Sequence, residues 1–242
     1  MALSDKATER DSETLEAGAL LPVLRRATHS ELKAVVEALN KGLDVFITWD
    51  TRYSDNQNDL TKIPDLIGDH LCRAGGHLMA NQVRGTGPDY ALVVADVCKA
   101  MGVRHPLGAD VVALEEALLK LLLEKAMKGM SDDQRADLAR KMAQAAGRPV
   151  GMEDVMRGGA LFALLAPHMF LFVAERMAGA GLAFLGRAVL GRFAGMFAGP
   201  VGIAISVIWA AADIAGPSLR GTVPAVAQVA MIRQRLLFSE AP

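Results

Sequence analysis

Through the first half of the chain, hydrophobic positions recur at helical spacing. Leu32, Val35, Val36 and Leu39 form one such stripe. Thr28 and Glu31 precede it at capping-box spacing and predict where this helix begins, while Gly42 predicts where it ends. The polar stretch 50–59 reads as a loop. A helix is expected from Leu60 to Ala74, with Gly75-Gly76 as a break or a point of close packing. Residues 77–83 then continue into the turn Arg84-Gly85-Thr86-Gly87, and Pro88 suits a first helical position. Tyr90 to Met101 predicts a helix closed by Gly102. From Asp110 to Met130, Leu114, Leu118, Leu121 and Leu122 share one face. Ser131 and Gln134 repeat the capping-box spacing ahead of Leu138 and Met142. No segment alternates with strand period between turn signals, so the pattern predicts an all-α fold.

After Gly151 the pattern changes. Between Gly158 and Ala212 only Glu175, Arg176, Arg187 and Arg192 are charged, and 193–212 is a run of 20 residues without charge. A helix that crosses a bilayer needs about 20 such residues. Pro167 and Gly199-Pro200 break the region into short segments. Gly191, Gly195 and Gly199 recur every four residues, a ridge that lets a neighbouring helix come close in a membrane or in a dense core. The expected architecture is a multi-helix bundle surrounding a Gly/Ala-rich hydrophobic C-terminal helical hairpin. Its expected parts are a disordered arm over 1–17, a small N-terminal helical module over 18–48, a central helical region over 60–150 and the hydrophobic region over 151–238. Residues 60–238 are expected to form one domain.

Composition adds to this in two ways. Hydrophobic residues make up 52% of the 242 but aromatics only 5%, so the excess is small and aliphatic, which favours close helix packing. The net charge of −1 provides no overall field for nucleic acid or an anionic membrane, and no basic stripe is interleaved with aromatics. Arg233-Gln234-Arg235 is too short to count as one. The charges are unevenly placed: 22 of the 27 acids lie in the first 150 residues, and no lysine follows Lys141. The seven arginines after Gly151 suit snorkelling beside apolar surface or pairing with buried carboxylates. A genome rich in arginine codons explains them equally well. Cys72 and Cys98 have no CxxC spacing and read as buried free thiols of a reducing compartment. Met1 to Ala17 has no apolar core of a signal peptide, so the expected location is cytoplasmic, peripheral to or inserted at the inner membrane.

Two blocks carry a family likeness. The first, from Gly75 to Val103, contains Gly75, Gly76, Ala80, Asn81, Arg84, Gly85, Gly87, Tyr90, Asp96, Val97 and Lys99 in a GG-x-x-x-AN-x-x-RG-x-G pattern followed by Tyr and x-x-DV-x-K. Val94 stands where leucine is expected. The second contains Gly216, Pro217, Arg220, Thr222, Pro224 and Val226, with Leu219 in place of an aromatic residue. Together they resemble the YaaW family of uncharacterised bacterial proteins, and Leu20 to Gly42 resembles that family's small N-terminal helical module. The resemblance covers most of the chain and implies an architecture rather than a reaction. The family's central part is also labelled as similar to a ubiquinol–cytochrome c chaperone.

The residues singled out as a binding or structural motif are Asn81, Arg84, Tyr90, Asp96, Asp213, Arg220 and Thr222. Arg84 and Arg220 sit in glycine-rich turns, where a planar guanidinium could hold a carboxylate or phosphate. Equally, they could cap helix carbonyls or pair with Asp96 and Asp213, two carboxylates in otherwise apolar helices that need partners if buried. Gly191, Gly195, Gly199 and Pro200 are assigned to close helix packing. The turn at 84–87 lacks the strand–loop–helix setting of a phosphate loop. Asp69, His70, Cys72 and His77 lie close in sequence but do not make a metal motif, and His168 reads as a core histidine. No GxSxG element or paired nucleophile is present, and no cofactor or metal is expected.

Three functional classes follow. The first is a membrane-interacting helical protein with a concealed apolar hairpin, pore-forming or effector-like, patterned like the pore-forming domains of colicins. Its partner would be membrane lipid, with oligomers on the membrane as one consequence. The second is a soluble protein-binding or assembly-chaperone-like module. The third is an enzyme of unknown chemistry. Nucleic acid is not an expected partner of any of them.

Overall fold

The computed structural model describes residues 15–40, 47–75, 87–104, 108–128, 131–133, 136, 140 and 219–240. Within them the protein is all-α. Its helices are α1 (Leu20–Arg25), α2 (His29–Asn40), α3 (Thr51–Asn56), α4 (Pro64–Ala74), α5 (Tyr90–Met101), α6 (Val111–Lys128) and α7 (Thr222–Glu240), with 3₁₀ turns at Ile47–Trp49 and Leu60–Lys62. Residues 151–218 of the expected hydrophobic region, including Gly191, Gly195, Gly199, Pro200 and Asp213, lie outside the described residues. So do Asn81 and Arg84, the capping-box partner Gln134, and the histidines His77 and His168.

Local signals place most of these helices. The Glu31 carboxylate accepts the Thr28 amide at 2.7 Å, and the Thr28 hydroxyl accepts the Glu31 amide at 3.3 Å, the reciprocal bonds of a capping box at the start of α2. Asp110 Oδ1 accepts the Ala113 amide at 2.8 Å, which caps α6. In α5 the buried residues Tyr90, Val93, Val94, Val97, Cys98 and Met101 form one stripe, and Gly102 closes the helix as expected. Two expectations need correction. The stretch 50–59 is not all loop, because Asp50 caps the helix Thr51–Asn56 by accepting the Arg52 amide at 2.9 Å. This helix buries none of its residues, so no apolar stripe announced it. Pro88 is not the first helical residue either: α5 begins at Tyr90, after an extended Asp89.

Helix α7 is the axis of the bundle and packs against α1, α2, α4, α5 and α6. Every residue from Thr222 to Gln234 is buried. Valines, alanines, Met231 and Ile232 point in all directions around it, the pattern of a helix enclosed by others. Pro224 falls in its first turn, where a missing N–H leaves no intrahelical bond unmade. Helices α1 and α2 contribute Val23, Leu24, Leu32, Val35 and Leu39 to the same core as α4 to α7. Leu15 is also fully buried.

Candidate functional site

The two sequence motifs meet at the C-terminal end of α4. The Thr222 hydroxyl, in the first turn of α7, donates to the carbonyl of Ala74 at 3.0 Å and satisfies one of the acceptors a helix end leaves open. Gly75 follows immediately, and a Cβ there would lie 2.5 Å from Cγ1 of Val93 on α5. A Cβ on Gly87 would lie 2.5 Å from the amide nitrogen of Arg73 and 2.6 Å from the carbonyl carbon of Cys72. Any side chain at Gly87 would therefore run into backbone, which cannot move aside as a side-chain tip can. Gly75 and Gly87 thus bring the two ends of the intervening stretch, which holds Asn81 and Arg84 in sequence, to one place on α4. Arg220 lies just ahead of Thr222 in the same region and is exposed.

A few residues deeper, Tyr90, Glu115 and Arg233 form a buried network. Glu115 and Arg233 have side chains 0% exposed. Arg233 Nε donates to Glu115 Oε2 at 2.6 Å and Nη2 donates to Oε1 at 3.2 Å, the two-pronged pairing that a planar guanidinium favours. The Tyr90 hydroxyl donates to Glu115 Oε1 at 2.6 Å. Arg233 Nη1 also donates to the carbonyls of Leu15 at 2.9 Å and Ala19 at 3.0 Å, and Nη2 to that of Gly18 at 3.2 Å. These bonds use the full donor capacity of the guanidinium. The network fastens α5, α6, α7 and the turn 15–19 to one another. Nearby, Gln234 donates to Glu116 at 3.1 Å, and Arg235 Nε donates to Glu31 Oε1 at 2.6 Å.

Burial sets the electrostatics here. It pushes the Glu115 carboxyl above its ordinary range, although the Arg233 charge and the Arg233 and Tyr90 hydrogen bonds pull it back. Tyr90 is pushed well above the ordinary phenol value, first by burial and then by the neighbouring Glu115 carboxylate. Burial opposes the Arg233 charge, but the Glu115 charge and hydrogen bond outweigh it and raise its pKa. Because these atoms are closed off from solvent, the arrangement holds helices together rather than presenting reactive groups.

The expected site residues divide accordingly. Tyr90 and Thr222 are buried and engaged, and Arg220 lies at the motif junction. Asp96 is exposed, because it falls outside the stripe that α5 turns inward. Glu115, Arg233 and Arg235 were not singled out by motif, and Glu31 was singled out only as a helix cap. One signal was available for Glu115: it occupies a core position of the stripe Leu114, Leu118, Leu119, Leu122.

Cys98 is buried and Cys72 half-buried, both as free thiols. Burial raises Cys72 to about 11, and it raises Cys98 to about 12. His70 is half-buried, with Nδ1 closed off and without a hydrogen-bond partner, and burial lowers its pKa. Among the described residues, no His, Cys, Asp or Glu side chains converge in a group of three or more that could hold a metal. Nor is any described helix long and apolar enough to cross a membrane.

Known proteins were compared by sequence and by structure. No family model matches the chain, and no solved structure matches it. A UPF0174 protein of Helicobacter pylori strain J99 is 27% identical over 227 residues, covering 88% of this chain and 90% of its own length. The UPF0174 protein YaaW of Escherichia coli O157:H7 is 28% identical over 174 residues, 70% of each chain. YaaW of Escherichia coli strain K12 is 27% identical over the same length. The likeness runs through most of its length, and this chain is similar to the UPF0174 proteins, YaaW among them.

Proposed function

We propose that the protein is a membrane-interacting helical protein, in which a helical bundle carries a charge-free stretch able to enter a bilayer. One observation carries this reading: the uncharged run 193–212 lies in the chain between α6 and α7, the two helices that the buried Glu115–Arg233 pair ties together. A stretch of that length has no charged side chain to desolvate on entering hydrocarbon. A bundle that grips the chain on both sides of it supplies a fixed base for docking.

The test is flotation with liposomes of phosphatidylcholine and phosphatidylglycerol, coupled to release of an entrapped dye, using full-length protein purified without detergent. Wild type is expected to float, and Ile205→Asp to stay with the soluble fraction while keeping its helical circular dichroism. Wild-type protein that remains at the bottom of the gradient at neutral and mildly acidic pH would overturn the reading. A soluble protein-binding module is the second reading, favoured by Trp49, which is 80% exposed. In that case wild type is monodisperse and does not float, and Ile205→Asp unfolds it.

A further inference from the structure

Arg233 donates three of its hydrogen bonds to the backbone carbonyls of a single short turn at the N-terminal edge of the described fold. That turn, residues 15–19, carries one large buried side chain, Leu15, while Glu16, Ala17 and Ala19 are exposed. It closes on itself through the Gly18 amide, which donates to the Leu15 carbonyl at 3.2 Å. Gly18 has φ +80, a conformation side chains disfavour, and a Cβ there would lie 2.5 Å from Cβ of Val111 at the start of α6. The turn is therefore seated on α6 by a glycine and holds α7 by an arginine. A short segment with a single apolar anchor is the kind of element that opens locally while the rest of a fold stays closed.

We infer that residues 15–19 form a strap that closes the bundle over Arg233, and that displacing the strap hydrates the Glu115–Arg233 pair and loosens α7 from α6. Water then replaces the three carbonyls as acceptors for the guanidinium and competes with Glu115 for the rest. Leu236 and Ile232, on the same half of α7, lose cover as the helix swings out. Because α7 follows the uncharged run 193–212 in the chain, the strap is a conformational device that governs how firmly that run is tethered.

The experiment is hydrogen–deuterium exchange on the full-length protein with Gly18→Val, and with Gly18→Ala as the milder variant should valine prevent folding. The expected result is exchange about tenfold faster at residues 15–19 and along the C-terminal half of α7, with α4 and the first half of α2 unchanged. Faster exchange at the turn with α7 unaffected would overturn the inference, as would no change anywhere. A uniform increase across all helices would also overturn it, because the turn would then be part of one cooperative core. The consequence for lipid rests on the membrane reading above: the same variants should float at lower lipid concentration. Exchange needs no lipid, so failure of the strap and failure of membrane binding are told apart.

Discussion

The protein carries two sets of ion pairs that look alike on paper and differ in what surrounds them. On the outer face of α3 and α4, Arg52 pairs with Asp50 at 3.2 Å and Asp65 at 3.8 Å, and Arg73 pairs with Asp69 at 2.9 Å. Around α7, Arg233 pairs with Glu115 and Arg235 with Glu31, each at 2.6 Å. Distance separates the two sets by only a few tenths of an ångström at best. Solvent separates their extremes: Glu115 and Arg233 have side chains closed to it, while those of Asp69 and Arg73 are open to it. On the surface, water and salt screen each charge and take over as soon as a partner leaves. In the core, a charge whose partner is removed has nowhere to go. The lesson is that removing the same kind of contact should give effects roughly tenfold apart in free energy, set by desolvation rather than by geometry.

The sharpest way to break the comparison is Glu115→Gln. It leaves the Arg233 guanidinium buried without a counter-charge, and an arginine does not give up its proton. Breaking one side of such a pair is expected to cost about 3–5 kcal/mol, read as a lower midpoint in urea unfolding. Arg233→Met strands the other partner with a different outcome. It should cost about 2–4 kcal/mol at neutral pH. Glu115 already sits above its ordinary value because of burial, and loss of the guanidinium raises it further. A carboxyl whose folded pKa is raised contributes stability that is fully present below its unfolded value and is lost as pH rises through the folded one. Arg233→Met should therefore recover relative to wild type as pH falls from 7 toward the ordinary carboxyl value, and Glu115→Gln should not. Equal pH dependence of the two variants would mean that the pair is hydrated and not buried.

Glu31 and Arg235 lie between the extremes, with side chains 4% and 24% exposed. Arg235→Ala should cost about 1–3 kcal/mol, the range for hydrogen bonds to a charged group. Glu31→Ala removes the same contact and also the carboxylate that caps α2, adding about 1 kcal/mol. If the two variants unfold at the same denaturant concentration, the capping bond contributes nothing of its own.

Glu31 also shows how far the fold could be read from the chain. Its place in a capping box follows from Thr28 three residues earlier, because both signals are local. Its second partner lies 204 residues away, and no spacing rule reaches that far. The stripes of α2, α5 and α6 were legible for the same local reason. The short α3 was not, since it buries nothing. At the site, Tyr90 and Thr222 stood out through their motifs, but what they touch depends on which helices meet. Arg233 was read as part of a short basic run, although it directly follows the buried stretch Val223 to Ile232, in which Gln228 is the one polar residue. A charged residue in a helix with no polar face is the physical signal that would have found it. The enclosure itself comes from five other helices and could not be seen in the periodicity of one.

The smallest effect belongs to the surface pair Asp69–Arg73. Its side chains are 41% and 45% exposed, and the acid precedes the base by one turn, the favourable order on a helix. Asp69→Asn is expected to change stability by no more than about 0.5 kcal/mol. Arg73 remains in the last turn of α4, where the helix dipole still favours its positive charge. The substitution has a second consequence that does not depend on stability. Burial lowers the pKa of His70, and the neighbouring Asp69 carboxylate partly offsets that by favouring the protonated ring. Without it the His70 pKa should fall further, visible as a shift in its proton resonances with pH. A displaced His70 titration with an unchanged unfolding midpoint would show that a surface charge can tune its neighbour without holding the fold, the opposite of what Glu115 is expected to do.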